Sequence, residues 1–174
     1  MSMQQADHPE ELLDLVDNDD NVIGTITRKE VYAQSIKNYR CVHAFIQNSE
    51  GKLWIPRRVS TKKLFPDALD FSIAGHVEAG ETYEEALVKE AAEEVRLTLA
   101  PDDYQEVGYL TPYNSDVGVF QKVFLIKSDK TPAYDEAEFQ SYEWLTPQEI
   151  VDRFAEGEAM KDDIPKLLEL CGLL

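Results

Sequence analysis

The chain has 174 residues, 43% hydrophobic and 29% charged, a composition typical of a folded globular protein rather than a disordered tail or a fibrous repeat. Its 34 acidic and 17 basic residues give a formal net charge of −17 at pH 7, which disfavours binding to nucleic acid polymers or to an anionic membrane surface. Cys41 and Cys171 lack metal-type spacing, and the N-terminal segment lacks a secretory pattern, so we expect a cytoplasmic protein without a disulfide framework.

We expect a single domain over residues 1–174, with residues 1–9 disordered, because no repeat or linker-like segment interrupts the chain. Near its start, apolar runs at 12–16 and 22–26 flank a cluster of Asp and Asn residues, a pattern typical of a β-hairpin. The remaining elements are predicted in this order: a helix over 27–35, strands over 41–47 and 52–56 joined by a turn, an apolar segment over 69–74, a helix over 82–96, strands over 107–110, 119–126 and 142–145, and helices over 146–155 and 163–174. Because strands and helices mix without strict alternation, this order predicts an α+β fold with a mixed β-sheet between α-helices.

Two of the predicted helices begin at strong start signals. Thr82 and Glu85 have the spacing of a capping box, in which each side chain bonds the backbone N–H of the other. Thr146 is followed by Pro147 at the first helical position and by Glu149 at the third, which again indicates a helix start.

Three glutamates of the helix predicted over 82–96 stand on one face. Glu90, Glu93 and Glu94 have the spacing i, i+3 and i+4, which brings their carboxylates together. Like charges so placed destabilise a helix unless water solvates them or a hard divalent cation binds between their oxygens. The spacing alone therefore leaves two interpretations open, a solvated acidic face and a metal site.

The segment from Gly75 to Leu97 places these glutamates in a longer motif. It resembles the box of the Nudix family, which runs Gly, five residues, Glu, seven residues, Arg-Glu, an aliphatic residue, one residue, Glu-Glu, one residue, Gly and an aliphatic residue. The positions in register are Gly75, Glu81, Glu90, Ala91, Glu93, Glu94 and Leu97. Two positions depart from the box, since Lys89 stands where the family has Arg and Arg96 stands where it has Gly.

The resemblance extends over about residues 13–155 and implies a Nudix fold with a metal site. It implies that the three glutamates hold Mg²⁺, or Mn²⁺ as a substitute, with the Gly75 carbonyl oxygen as a further ligand. It also implies that Lys89 braces the first box glutamate, Glu81, without the planar fork of an arginine. The candidate catalytic and metal-binding residues are then Glu90, Glu93 and Glu94. The sequence does not divide the roles of metal ligand and general base among them.

Basic residues before the box are candidates for phosphate binding. Arg57 and Arg58 alternate across their predicted strand, so only one of them can face the site. We expect one of the pair to contact a substrate phosphate, with a surface ion pair as the alternative. Lys62 and Lys63 are expected to be solvated loop charges.

Residues 54–66, together with the Gly75-His76 pair, are most similar to the Nudix branch that includes isopentenyl-diphosphate isomerase. That isomerase protonates an alkene and needs an acidic cysteine just before the Gly-His pair, where this chain has Ala74. Cys41 is interpreted as a small buried hydrophobic residue. His76 matches a metal-ligand position of the isomerase, and a polar loop residue is the alternative interpretation.

The sequence therefore favours a divalent-metal-dependent hydrolase that cleaves the diphosphate linkage of a nucleoside diphosphate derivative or a similar organic diphosphate. Two alternatives stay open: a non-catalytic Nudix module that binds a nucleotide or a protein, and, with less support, a prenyl diphosphate isomerase. The expected partner is a small phosphorylated molecule, not a nucleic acid polymer or a membrane. The sequence does not indicate the oligomeric state.

Overall fold

A computed structural model describes residues 8–174 of the chain. Residues 1–7, which make up most of the stretch expected to be disordered, lie outside the described residues. Pro9, also in that stretch, is described, and its carbonyl accepts a hydrogen bond from the Lys29 N–H at 3.1 Å. The predicted hairpin is confirmed, since β1 (Leu12–Val16) pairs antiparallel with β2 (Val22–Thr27). A capping box at Thr27 then begins the short helix α1 (Arg28–Ala33), as predicted.

Six further strands form the main sheet within residues 8–174. They are β3 (Arg40–Gln47), β4 (Leu53–Arg58), β5 (Ile73–His76), β6 (Tyr104–Leu110), β7 (Phe120–Lys127) and β8 (Phe139–Leu145). The strand order is β6-β7-β3-β4-β8, with β5 paired to β3. Because β3 and β7 are parallel while the other strand pairs of this sheet are antiparallel, the sheet is mixed, as predicted.

Helices cover both faces of this sheet. On one face, α2 (Tyr83–Val95) packs its apolar stripe against the side chains of β3 that include Val42 and Ala44. On the other face, α3 (Pro147–Ala155) and α4 (Ile164–Leu170) pack in a second core with Phe45. The alternation of Ala44 and Phe45 between the two cores follows from the period of two in a strand. The predicted α+β arrangement of a sheet between helices is therefore confirmed.

Both ends of α2 follow from local signals in the sequence. Thr82 is the N-cap, and the capping box with Glu85 is present. At the other end, Arg96 has φ of 53° and ψ of 35°, the left-handed conformation that usually favours glycine. The arginine in the Gly position of the box thus keeps the helix end where a glycine would place it. This conformation costs a non-glycine residue roughly 1 kcal/mol.

The apolar segment over 69–74 differs from a continuous strand, since β5 starts only at Ile73. Leu69 instead bridges Arg57 on one side and Met160 on the other. Next to β5, the Ser72 hydroxyl donates to the Trp54 carbonyl at 2.6 Å and accepts from the backbone N–H of β3 at 2.9 Å. Ser72 thereby separates β3 from β4, which pair in register only where Gln47 faces Leu53. None of the helices in residues 8–174 has the length and apolar character needed to cross a bilayer.

Candidate active site

A cavity of about 1270 Å³ opens where β5 meets α2. Its lining comes from residues 8–12, α1, the start of β3, the loop after β4, β5, α2 and residues 161–163. All three glutamates of the predicted metal site, which we call the glutamate cluster (Glu90, Glu93 and Glu94), line this cavity. Acidic side chains outnumber basic ones in the lining, so a bound cation would favour the entry of an anionic ligand.

Two members of the glutamate cluster lie directly against the backbone of β5. The Glu94 carboxylate accepts a hydrogen bond from the Ala74 N–H at 3.1 Å. The Glu90 carboxyl group occupies the space beside Gly75, where an added Cβ would lie 2.4 Å from the Glu90 Cδ atom. The absence of a side chain at Gly75 is thus what lets Glu90 approach the strand.

These two carboxyl groups lack sufficient compensating positive charge. Burial, followed by the charge of Glu93, raises the pKa of Glu90 to about 8. Burial also raises the pKa of Glu94 well above its ordinary value, and the charges of Glu90 and Asp70 add to the effect. Carboxylates that are poorly solvated and close together are stabilised by a cation between them.

The glutamate cluster fits a divalent metal ion in its chemistry. Carboxylate oxygens and a backbone carbonyl such as that of Gly75 are the hard oxygen ligands that Mg²⁺ and Mn²⁺ prefer. The raised pKa values of Glu90 and Glu94 mark the place where positive charge is missing. Within residues 8–174, no three acidic, histidine or cysteine side chains already surround one metal position. The residues therefore supply the ligand types, and a bound ion would draw their carboxylates together.

Lys89 contacts Glu81, as the resemblance to the box implied. The Lys89 Nζ donates to the two carboxylate oxygens of Glu81 at 2.9 and 3.0 Å and lies 3.1 Å from the Glu78 carboxylate. Glu81 in turn accepts from the Glu78 N–H at 3.0 Å. Burial alone would lower the pKa of Lys89, but the hydrogen bonds to Glu81 and Glu78 outweigh it and raise the pKa. The ammonium thus joins α2 to the loop before it without an arginine fork.

The two adjacent arginines of β4 face different surroundings. Arg58 lines the cavity, whereas Arg57 is not among the lining residues and pairs with Glu158 at 2.5 Å. Arg57 also donates to the Asp67 carbonyl at 2.8 Å. Of the two predicted phosphate ligands, the structure therefore places Arg58 in the cavity that the glutamate cluster also lines. It directs Arg57 into an ion pair elsewhere, as the alternation of a strand requires.

Sequence reasoning missed a second charged group in the cavity. Asp70 is buried and lies 2.7 Å from Arg58 Nη1 and 2.9 Å from Lys161 Nζ, and we call these three residues the Asp70 cluster. Burial alone would raise the pKa of Asp70, but the charges of Lys161 and Arg58 outweigh it and lower the pKa. An acidic residue inside an apolar run is the one sequence signal for this cluster, because a buried carboxylate needs a partner.

His76 is the last residue of β5 and not a loop residue. Its Nε2 lies 2.9 Å from the Tyr32 hydroxyl, and its ring stacks on Tyr39 with 5.8 Å between centroids. Burial, together with nearby positive charges, lowers the pKa of His76 to about 3, so its ring is neutral at pH 7. Cys41 is its register partner on β3 and also lines the cavity, where burial raises the thiol pKa to about 12.

Lys62 is buried and ion-paired, so the expectation of a solvated loop charge is wrong at this residue. The side chain expected to be solvated is only 2% exposed and pairs with Glu138 at 2.5 Å. Since Glu138 also lines the cavity, the loop after β4 is anchored beside the site by this ion pair. Lys63, the other lysine expected to be solvated, lies in the same loop and has an exposed side chain.

Comparisons with known proteins indicate one family. Residues 37–167 match the family model of the NUDIX domain. An uncharacterized Nudix hydrolase of Nostoc is 47% identical over 160 residues, covering 92% of this chain and 95% of its own. A Nudix hydrolase of Deinococcus radiodurans is 41% identical over 162 residues, covering 93% of this chain and 94% of its own.

Solved structures have the same fold. A crystal structure from Deinococcus radiodurans superposes with a TM-score of 0.84 at 40% identity and covers 92% of this chain and 99% of its own. A MutT protein from Methanosarcina mazei, at 20% identity and a TM-score of 0.59, covers 76% of this chain and 91% of its own and shows the fold alone. Nudix hydrolases generally use divalent metals. The family match and the close relatives together show that this chain belongs to the Nudix hydrolase family.

Proposed function

We propose that this chain is a divalent-metal-dependent hydrolase that cleaves the diphosphate linkage of a nucleoside diphosphate derivative or a similar organic diphosphate. The observation that carries the proposal is the pair of carboxyl groups, Glu90 and Glu94, held against β5 with pKa values that stay raised despite the charges of Lys89 and Lys161. A diphosphate resists hydrolysis largely because its charge repels a nucleophile, so a site for a divalent cation addresses the main barrier.

The residues of the box supply metal ligands and a general base in this proposal. Glu90, Glu93, Glu94 and the Gly75 carbonyl would hold Mg²⁺, with Mn²⁺ as a substitute. When bound, the ion supplies neutralisation of phosphate charge and acidification of water. One of these three carboxylates would serve, in place of a ligand role, as the general base that takes a proton from the attacking water.

Residues outside the glutamate cluster orient it. Lys89 and Glu81 fix the loop that precedes α2, so the start of the helix keeps its position relative to β5. Arg58 is the residue of the adjacent arginine pair that we assign to substrate phosphate, because it lines the cavity. Both described cysteines are free thiols, which is consistent with a cytoplasmic location.

A prenyl diphosphate isomerase is the second candidate, because the Cys41 thiol lines the same cavity and is protonated at pH 7. We interpret the chain as a relative of the isomerase branch that lacks its catalytic cysteine, since Ala74 stands at that position. Under this interpretation Cys41 packs beside His76 and takes no part in catalysis, so Cys41→Ala retains hydrolase activity. An isomerase would lose its activity in the same variant.

The proposal is tested by incubating purified protein with nucleotides, nucleotide sugars and other organic diphosphates. Assays with Mg²⁺, with Mn²⁺ and with excess chelator are run side by side. We expect release of a phosphorylated product with either metal and none with chelator. Full turnover in chelator would contradict the mechanism, and binding without turnover of any compound would favour the non-catalytic module.

A further inference from the structure

The Asp70 cluster brings two cations into a cavity whose charged lining residues are mostly acidic. Its carboxylate accepts from the Phe71 N–H at 2.7 Å and contacts both Arg58 and Lys161. Two cations share one carboxylate, so the cluster carries a net charge of about +1, counted from the ordinary ionisation of the three groups. In a cavity lined mainly by acidic groups, this is a place where an anion meets positive charge.

The backbone fixes Lys161 at this place. Leu69 N–H donates to the Ala159 carbonyl at 2.9 Å, and Lys161 N–H donates to the Leu69 carbonyl at 3.0 Å. Residues 159–161 thus run beside residue 69 as a short parallel bridge. This bridge places Lys161 next to Asp70, although the two residues lie far apart in the sequence.

The Lys161 side chain is accessible to a ligand while it is held. Its side chain is 21% exposed and lines the cavity, and Nζ lies 5.9 Å from the centroid of the Phe71 ring. An ammonium has three N–H donors, and one oxygen of Asp70 at 2.9 Å takes one of them. The others can bond an anion that enters the cavity.

His43 is a further polar side chain that lines the cavity, and its ring lies next to that of Phe71. The centroid of the His43 ring lies 4.3 Å from that of the Phe71 ring, and His43 is only 8% exposed. His43 lines the cavity, and its Nδ1 has no hydrogen-bond partner among the described residues. A buried polar atom without a partner costs free energy that a bound ligand can recover.

We infer that Lys161 and Arg58, held by Asp70 and accompanied by His43, form an anion subsite that binds a phosphate group of the substrate. The inference rests on the proposed function, because it assigns the residues that contact a phosphate of the diphosphate proposed as substrate. Lys161 and Arg58 contact the phosphate, whereas Asp70 is a positioning residue that acts through them. The ligand chemistry is that of a phosphate or diphosphate oxyanion, bound by charge-assisted hydrogen bonds.

The inference is tested with inorganic pyrophosphate and metal-free protein in the presence of chelator. Calorimetric titrations compare the wild type with Lys161→Gln, Lys161→Arg and the matched control Lys166→Gln. Lys166 is also a lysine with one acidic partner, Asp116 at 3.0 Å, but it does not line the cavity. We expect affinity to fall about tenfold or more in Lys161→Gln, the scale of one charge-assisted hydrogen bond, and to change less than about threefold in the other two variants.

A second measurement uses the wild type, so that it does not depend on the folding of a variant. Chemical acetylation is followed residue by residue by mass spectrometry, with and without pyrophosphate. We expect pyrophosphate to slow acetylation of Lys161 and to leave Lys166 unaffected. Equal pyrophosphate affinity in Lys161→Gln and the wild type, or no protection of Lys161, would overturn the inference.

The test separates this inference from the proposed function. Wild-type protein that hydrolyses a diphosphate with Mg²⁺ but does not bind pyrophosphate in chelator overturns the subsite and leaves the proposed function intact. Protein that binds pyrophosphate through Lys161 but hydrolyses none of the diphosphates retains the subsite and loses the proposed function.

Discussion

Two clusters of charged side chains line one cavity and differ in the charges around their carboxylates. In the Asp70 cluster, Arg58 and Lys161 lie 2.7 and 2.9 Å from the carboxylate, and its pKa is below the ordinary value despite burial. In the glutamate cluster, burial and the neighbouring acids raise the pKa of Glu90 to about 8. A carboxylate with cations built in supports structure and positioning, whereas carboxylates assembled without one provide a place for a cation from solution.

The largest effect on stability is expected from removing the charge of Asp70. Asp70→Asn leaves two cations beside a neutral amide, so we expect the free energy of unfolding to fall by about 3 kcal/mol at pH 7, the usual cost of breaking a buried ion pair. Denaturant titration of the variant and the wild type measures this difference. An unchanged denaturation midpoint would show that the ion pairs of Asp70 with Arg58 and Lys161 do not stabilise the fold.

The same variant gives the pH dependence of the Asp70 cluster. The folded-state pKa of Asp70 lies below its ordinary value of 3.8, so its contribution to stability is present above about pH 4 and is lost as the pH falls through the folded-state pKa. We therefore expect the wild type and Asp70→Asn to converge in stability as the pH is lowered below about 4. Parallel stability curves down to pH 2 would contradict this assignment.

The largest effect on turnover is expected in the glutamate cluster. Glu94→Gln keeps an oxygen that can accept from the Ala74 N–H but removes the charge that would hold a metal, so we expect turnover to fall about 10²-fold or more. Glu93→Gln should behave similarly. Glu84→Gln is the matched control on the same helix, since Glu84 pairs with Lys122 and does not line the cavity. Turnover near the wild-type value in both cluster variants would favour a solvated acidic face.

Gly75 tests whether the position of a carboxylate matters as well as its charge. In Gly75→Ala the new Cβ would displace the Glu90 carboxyl group, so we expect turnover to fall about tenfold, the scale of a misplaced catalytic group, with little change in melting temperature. Gly24→Ala is the control, because a Cβ at Gly24 meets no atom within 4 Å. Full activity of Gly75→Ala would show that Glu90 need not lie against β5.

The smallest effect is expected at the brace of the box. In Lys89→Arg a planar fork can bind Glu81 at least as well as the ammonium does, so we expect equal or slightly higher activity. Steady-state assays at saturating metal measure it. A loss of tenfold or more would mean that Lys89 has a role that an arginine cannot fill.

Local signals in the sequence accounted for the half of the site that lies on one helix. The capping box at Thr82 and the spacing of the glutamates depend on residues within a few positions, and the structure brings these residues to the cavity as expected. Lys89 reached Glu81 because both lie in one short motif.

The other half of the site depends on contacts between distant parts of the chain. The strand period showed that only one of Arg57 and Arg58 could face the site, but which one depends on how β4 sits in the sheet. Lys161 reaches Asp70 only because residues 159–161 run beside residue 69. No local pattern encodes that pairing, so Lys161 could not be assigned before the fold was known.

The central claim is that the glutamate cluster binds a divalent cation and the Asp70 cluster does not. Calorimetric titration of Mg²⁺, repeated with Mn²⁺, into metal-free wild type, Glu94→Gln and Asp70→Asn tests it most directly. We expect saturable binding to the wild type, at least tenfold weaker binding to Glu94→Gln, and affinity within about threefold of the wild type for Asp70→Asn. Equal Mg²⁺ affinity in the wild type and Glu94→Gln would contradict the account.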